Sequence, residues 1–130
     1  MFKRFQRKKA REEEMSFLSK EERRLLHEEV EQLNQAISSC EDLEKLAVLL
    51  EQTGLKYVRL GENKKAITVL EESLATKVSI GEGYKKLITL YNEYRKEAAQ
   101  KGDIQAIDYY MGKLDEMRQI AKKGTIKGTN

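Results

Sequence analysis

The sequence predicts an all-α fold: a stack of antiparallel helix hairpins, about five helices in all, with an extra helix on the N-terminal side. Three observations predict it. Apolar and small residues recur at spacings of three and four through most of the chain. Charged residues make up 36% of the sequence and hydrophobic ones 39%, a mixture that suits helices with wet outer faces around a shared core. No Pro interrupts any stretch, and no strand-like alternation bounded by turns is present. At 130 residues the chain is sized for one domain.

The first eleven residues, MFKRFQRKKAR, carry Lys3, Arg4, Arg7, Lys8, Lys9 and Arg11, and they run into Glu12, Glu13 and Glu14. Residues 1–18 are assigned to a basic N-terminal segment, flexible or helical. As a helix it would set Phe2 and Phe5 about one turn apart among cations, which suits an anionic membrane surface or nucleic acid. A solvated terminus is the plainer reading.

The folded domain is expected over residues 19–122. Ser19 and Glu22 have the spacing of a capping box, and Leu26, Val30, Leu33 and Ile37 follow as a helical stripe. A helix is therefore predicted over about 20–37, with Cys40 in the turn after Ser38 and Ser39. A second helix over about 41–60 buries Leu43, Leu46, Ala47, Leu50, Gly54 and Tyr57. Gly61 supplies the left-handed ending and Asn63 the next cap. The third helix, 63 to about 78, buries Ala66, Ile67, Leu70 and Leu74. SIGEG at 79–83 makes a sharp turn. The fourth helix, about 84–100, buries Tyr84, Leu87, Ile88, Tyr91 and Ala98. Gly102 ends it, and Asp103 caps a fifth that buries Ile107, Tyr110, Met111, Leu114 and Ala121. The glycine-rich, polar residues 123–130 are expected to be disordered.

The order Leu50, Thr53, Gly54, Tyr57, Gly61, Ala66, Leu70, Ser73, Val78 resembles the tetratricopeptide repeat, a helix hairpin of about 34 residues. In that repeat a large residue is followed by Leu-Gly, an aromatic, a helix-ending Gly, an Ala, a large apolar residue, a second Ala and often Pro. Gly54, Tyr57, Gly61 and Ala66 match, whereas Thr53, Ser73 and Val78 depart from the preferred types. About one period on, Tyr84, Leu87 and Tyr91 take the places of Leu50, Thr53 and Tyr57, and Gly102, Ala106 and Tyr110 follow in order. The second copy is irregular: Tyr57 to Ala66 spans nine residues and Tyr91 to Ala106 fifteen. It is either a repeat with an extended first helix or a long hairpin stacked on one. The helix over 20–37 does not match the pattern and is read as a capping helix.

The resemblance implies binding of a protein or peptide in a groove lined by the first helix of each repeat. The matching groove positions are Val48, Glu51, Leu55, Val58 and Arg59 in the first repeat and Lys85, Thr89, Asn92 and Lys96 in the second. Leu55 and Val58 are off the core stripe, which would leave an apolar patch beside basic residues. Glu51 and Leu55 stand where repeats that grip a C-terminal carboxylate need Lys and Asn, so chaperone tails are not the expected ligand. Stacking faces at the two ends also allow a homo-oligomer.

The composition bounds the rest. Nine basic residues lie in the first eleven and in the tail from 122, so the remaining body holds 16 basic against 22 acidic residues, a net of −6. One Cys gives neither a disulfide nor a metal-ligand pair, and the lone His27 sits among glutamates as a surface residue. No phosphate-cradling loop, metal cluster or nucleophile with a base is present, so neither enzymatic activity nor a cofactor is expected. With no apolar run long enough for a membrane helix and no secretion-signal core, a cytoplasmic location is expected.

Overall fold

Glu51 and Gly83, thirty-two residues apart, are joined by a hydrogen bond between two successive hairpins, and the chain reaches that arrangement through a series of locally determined helices. The structure, a computed structural model, describes residues 18–128, with side chains described through Gly124. The described residues form five α-helices and no strand: α1 (Lys20–Ser39), α2 (Leu43–Arg59), α3 (Asn63–Thr76), α4 (Glu82–Lys101) and α5 (Ile104–Gly128). Each packs principally on its neighbours in sequence, and α2 also touches α4.

The Oγ of Ser19 accepts the Glu22 N–H at 3.0 Å, satisfying one of the free amides at the start of α1. This helix runs two residues past its expected end. Ser38 and Ser39 are helical, and the Ser38 hydroxyl donates back to the Gln35 carbonyl at 2.7 Å. Leu26 and Val30 are buried with Leu60, and Leu18 and Tyr57 pack around them, so α1 covers the C-terminal part of α2. At the edge of that contact the Lys56 ammonium meets Glu29 at 2.5 Å and holds its carboxyl below the usual carboxylate range.

Asp42 caps α2 by accepting from the amides of Glu44 and Lys45. Ala47, Leu50, Thr53 and Gly54 are buried. Leu43 is a correction to the predicted core: it is 63% exposed, because its place in the first turn leaves it uncovered. Gly61 ends the helix at φ 78°, with the Glu62 N–H donating to the Tyr57 carbonyl at 2.9 Å and the Gly61 N–H to that of Val58 at 3.0 Å. Helix α3 starts at residue 63 as expected, but Asn63 is not its cap. Asn63 is helical, Glu62 holds the capping position, and its side chain makes no capping bond.

The two helices of this hairpin approach closely at Gly54. A Cβ there would lie 2.5 Å from two carbons of Leu70, which is itself 1% exposed. The two polar departures from the repeat pattern have a common explanation. Thr53 is fully buried and its hydroxyl donates to the Leu49 carbonyl at 2.8 Å; Ser73 is buried and donates across the interface to the Ala47 carbonyl at 2.7 Å. Both hydroxyls are satisfied, so burial costs them little.

Helix α4 starts two residues before its expected position and buries Gly83, Tyr84, Leu87, Leu90, Tyr91 and Ala98. It runs ten residues beyond Tyr91, whereas α2 runs two beyond Tyr57, so the longer spacing from Tyr91 to Ala106 lies within α4. Gly102 closes it at φ 70° with the Asp103 N–H on the Ala98 carbonyl, and Asp103 then accepts from the Ala106 amide at 3.1 Å. The Tyr84 hydroxyl donates to the Met117 carbonyl of α5 at 2.7 Å. Leu70, Tyr84, Leu87, Tyr91 and Met117 form the main core where α3, α4 and α5 meet.

In α5 the sequence placed Met111 inside, but it is 47% exposed and Met117 is buried instead. Met117 falls three residues after Leu114 and seven after Tyr110 on one helical face, whereas Met111 lies about 100° round from Tyr110. The helix continues to Gly128, past the boundary expected at 122. Gly124 lets it come close to Ile80, whose Cδ1 would be 2.8 Å from a Cβ there.

Candidate partner-binding groove

The contact of α2 with α4 sets the first helices of the two hairpins side by side. Helical periodicity fixes which residues that leaves available. On α2 the core takes Ala47, Leu50, Thr53 and Gly54, so Val48 and Arg59 are exposed and Leu55 and Val58 half-buried. On α4 the core takes Tyr84, Leu87 and Tyr91, which leaves Lys85, Thr89 and Lys96 exposed and Asn92 half-buried.

Several of these side chains have partners within the fold. The Glu51 Oε2 accepts the Gly83 N–H at 3.0 Å, so this residue caps α4 from the neighbouring hairpin. Gly83 is needed there: a Cβ would lie 2.8 Å from the Glu51 Cγ and Oε2 and 3.0 Å from Leu70. The Thr89 hydroxyl donates to the Lys85 carbonyl at 3.1 Å, and the Asn92 Oδ1 accepts from the Arg95 guanidinium at 3.5 Å. Lys85 stands 3.8 Å from Glu82, an exposed pair. Lys3, Arg4, Arg7, Lys8, Lys9 and Arg11 lie outside the described residues.

Val48 and Glu51 share a cleft of about 250 Å³ at the N-terminal end of α2, walled also by Ala47, Ser73 and Val78. Glu44 and Lys77 form an ion pair beside it. Sequence reasoning missed the contribution of Lys77 and Val78, which follow the end of α3. The signal was present in Val78, an apolar residue where the repeat favours Pro, which is 51% exposed. A second cleft, about 360 Å³, lies at the α2–α3 turn between Lys64, Lys65 and Tyr94. Here Lys65 sits 5.8 Å from the Tyr57 ring centroid and 3.5 Å from Glu62.

On the α3–α4–α5 side, tyrosines cluster. Tyr94 stacks on Tyr110 at 5.6 Å, Tyr109 meets Tyr110 edge-on at 5.0 Å, and Tyr91 lies 6.3 Å from Tyr110. The Tyr91 hydroxyl donates to Glu71. Burial, together with that carboxylate, pushes the Tyr91 phenol well above its ordinary range. Burial works against the Lys113 charge, but Glu71 at 3.5 Å and Glu116 outweigh it and hold the ammonium pKa up. These groups stabilise one another and join three helices.

No protein-family model matches the chain, and no curated protein or solved structure shows significant similarity to it. Among the described residues, no helix is long and apolar enough to cross a membrane, and no group of three or more His, Cys, Asp and Glu is arranged to hold a metal ion.

Proposed function

We propose that this chain is a small interaction module built from two tetratricopeptide-like hairpins, the second with an extended first helix, and that it binds a protein or peptide in the groove between α2 and α4. The observation that carries this reading is the α2–α4 contact, which sets the two helices side by side, each with residues left exposed outside the core: Val48 and Arg59 on α2, Lys85 and Lys96 on α4. The residues behind the resemblance support it: Leu50, Gly54, Ala66, Leu70, Tyr84, Leu87 and Tyr91 are all buried, and both helix-ending glycines are left-handed. Glu51 is set aside as a ligand contact, because its carboxylate caps α4. The groove is therefore cationic on both flanks, and a partner segment with acidic residues fits it. A cytoplasmic adaptor without catalytic activity is the role this design suits.

The test is affinity capture with the full-length protein and with Arg59→Glu and Lys96→Glu, both at exposed positions where folding tolerates the change. The proposal expects a partner retained by the parent protein and lost by both variants at unchanged helical content. Equal capture by all three would overturn it.

A further inference from the structure

The cleft at the N-terminal end of α2 has its charged groups already engaged. Glu44 and Lys77 pair with each other, and Glu51 accepts the Gly83 amide. The Ser73 hydroxyl on its floor donates to the Ala47 carbonyl. Apolar surface is what stays open, because Val48 and Val78 on its walls are each 51% exposed. An occupant therefore gains by covering hydrocarbon rather than by offering charge. At about 250 Å³ the cleft is smaller than sites that enclose a whole small molecule, and it suits one side chain.

Helical periodicity places the rest of the occupant. Val48, Gln52, Leu55 and Arg59 follow one another at spacings of four, three and four, so they share one stripe of α2. Val48 and Arg59 are eleven residues apart, about 16 Å along the helix. Arg59 is exposed, and Glu29, whose carboxyl feels its charge, is already held by Lys56 at 2.5 Å. The stripe thus runs from an apolar cleft to a cation. An acidic group is disfavoured beside the cleft, where Glu44 and Glu51 outnumber Lys77, and favoured at the Arg59 end. A docked helix relies on apolar contacts at every turn, whereas Gln52 and Arg59 make two of these four positions polar. An extended segment covers the same distance in about five residues.

We propose that the partner of this protein is an extended segment with one large apolar residue and an acidic cluster about five residues away, the apolar side chain seated between Val48 and Val78 and the acids against Arg59. The inference rests on the groove reading and adds to it what selects the partner.

The probe is a synthetic peptide, capped at both ends, of one Leu, four alternating Gly and Ser residues and three Glu. It is titrated at low salt into the full-length protein and followed by NMR. The expected result is that the Val48 and Val78 methyl signals and the Arg59 side-chain N–H all shift on one binding curve. Replacing the peptide's Leu by Ser should weaken binding about tenfold and leave the valine methyls unmoved. Shortening its spacer to a single Gly should keep the valine shifts and lose that of Arg59. A Ser peptide that moves Arg59 with undiminished affinity would overturn the anchor while leaving the groove reading in place. Replacing Glu by Gln without effect would overturn the acidic requirement and count against the cationic groove as well. No shift at either end would overturn the proposal.

Discussion

The carboxylate of Glu51 on α2 accepts the Gly83 amide at the start of α4 at 3.0 Å, so the first hairpin terminates the second. The bond satisfies an amide that the capping residue Gly81 cannot, and it places negative charge at the positive end of the helix. Glu51→Ala is expected to cost about 1 kcal/mol in urea unfolding. Gly83→Ala displaces the same carboxylate, so the double variant should cost less than the sum of the two. Additive costs would mean that the two residues are not coupled.

Ser73→Ala introduces the residue that the repeat pattern prefers, yet a loss of stability is expected. It removes the donor to the Ala47 carbonyl at 2.7 Å in a buried interface, worth about 1 kcal/mol. Thermal unfolding checks it, and an unchanged or higher Tm would show that the bond contributes nothing net.

Two glycines make a contrast within helices. At Gly54 an added methyl meets buried Leu70 at 2.5 Å, and strain of about 1–3 kcal/mol is expected to exceed the gain in helix propensity. At Gly112 nothing lies within 4 Å, so Gly112→Ala should stabilise by about 0.5–1 kcal/mol. Denaturant midpoints for the two variants should move in opposite directions.

Tyr91 gives the fold an alkaline limit. Its phenol is raised by burial and by Glu71, so the folded state keeps a proton that the unfolded chain releases above about pH 10. Its contribution is fully present below that pH and falls as pH rises, by about 1.4 kcal/mol per pH unit for this group. Tyr91→Phe should be about 1 kcal/mol less stable at neutral pH and show a shallower alkaline decline. An identical pH profile would separate the decline from Tyr91.

The helices and most of the core were legible in the sequence because each rested on a local cause: Ser19 as a cap, Gly61 and Gly102 as left-handed stops, and apolar residues at helical spacing. Much of what was not legible depended on residues distant in sequence. Spacing places Glu51 on the groove side of α2, but only the packing of the second hairpin shows its carboxylate reaching Gly83. Thr53 and Ser73 read as departures until the carbonyls of Leu49 and Ala47 are seen to accept from them. Met117 is the exception: it shares the face of Tyr110 and Leu114 at helical spacing, so its burial was legible and Met111, about 100° round, was the wrong choice. The cleft went unread because Val78 follows the end of α3, where periodicity no longer tells inside from outside.

The groove is tested most directly by charge reversal on both of its flanks. Arg59→Glu on α2 and Lys96→Glu on α4 leave the core untouched, and quantitative capture from a lysate of the cells that make the protein reads what each loses. The account predicts the same partner lost from both variants and retained by Gly112→Ala, a change on the outer face of α5. A partner that binds all three equally would contradict it.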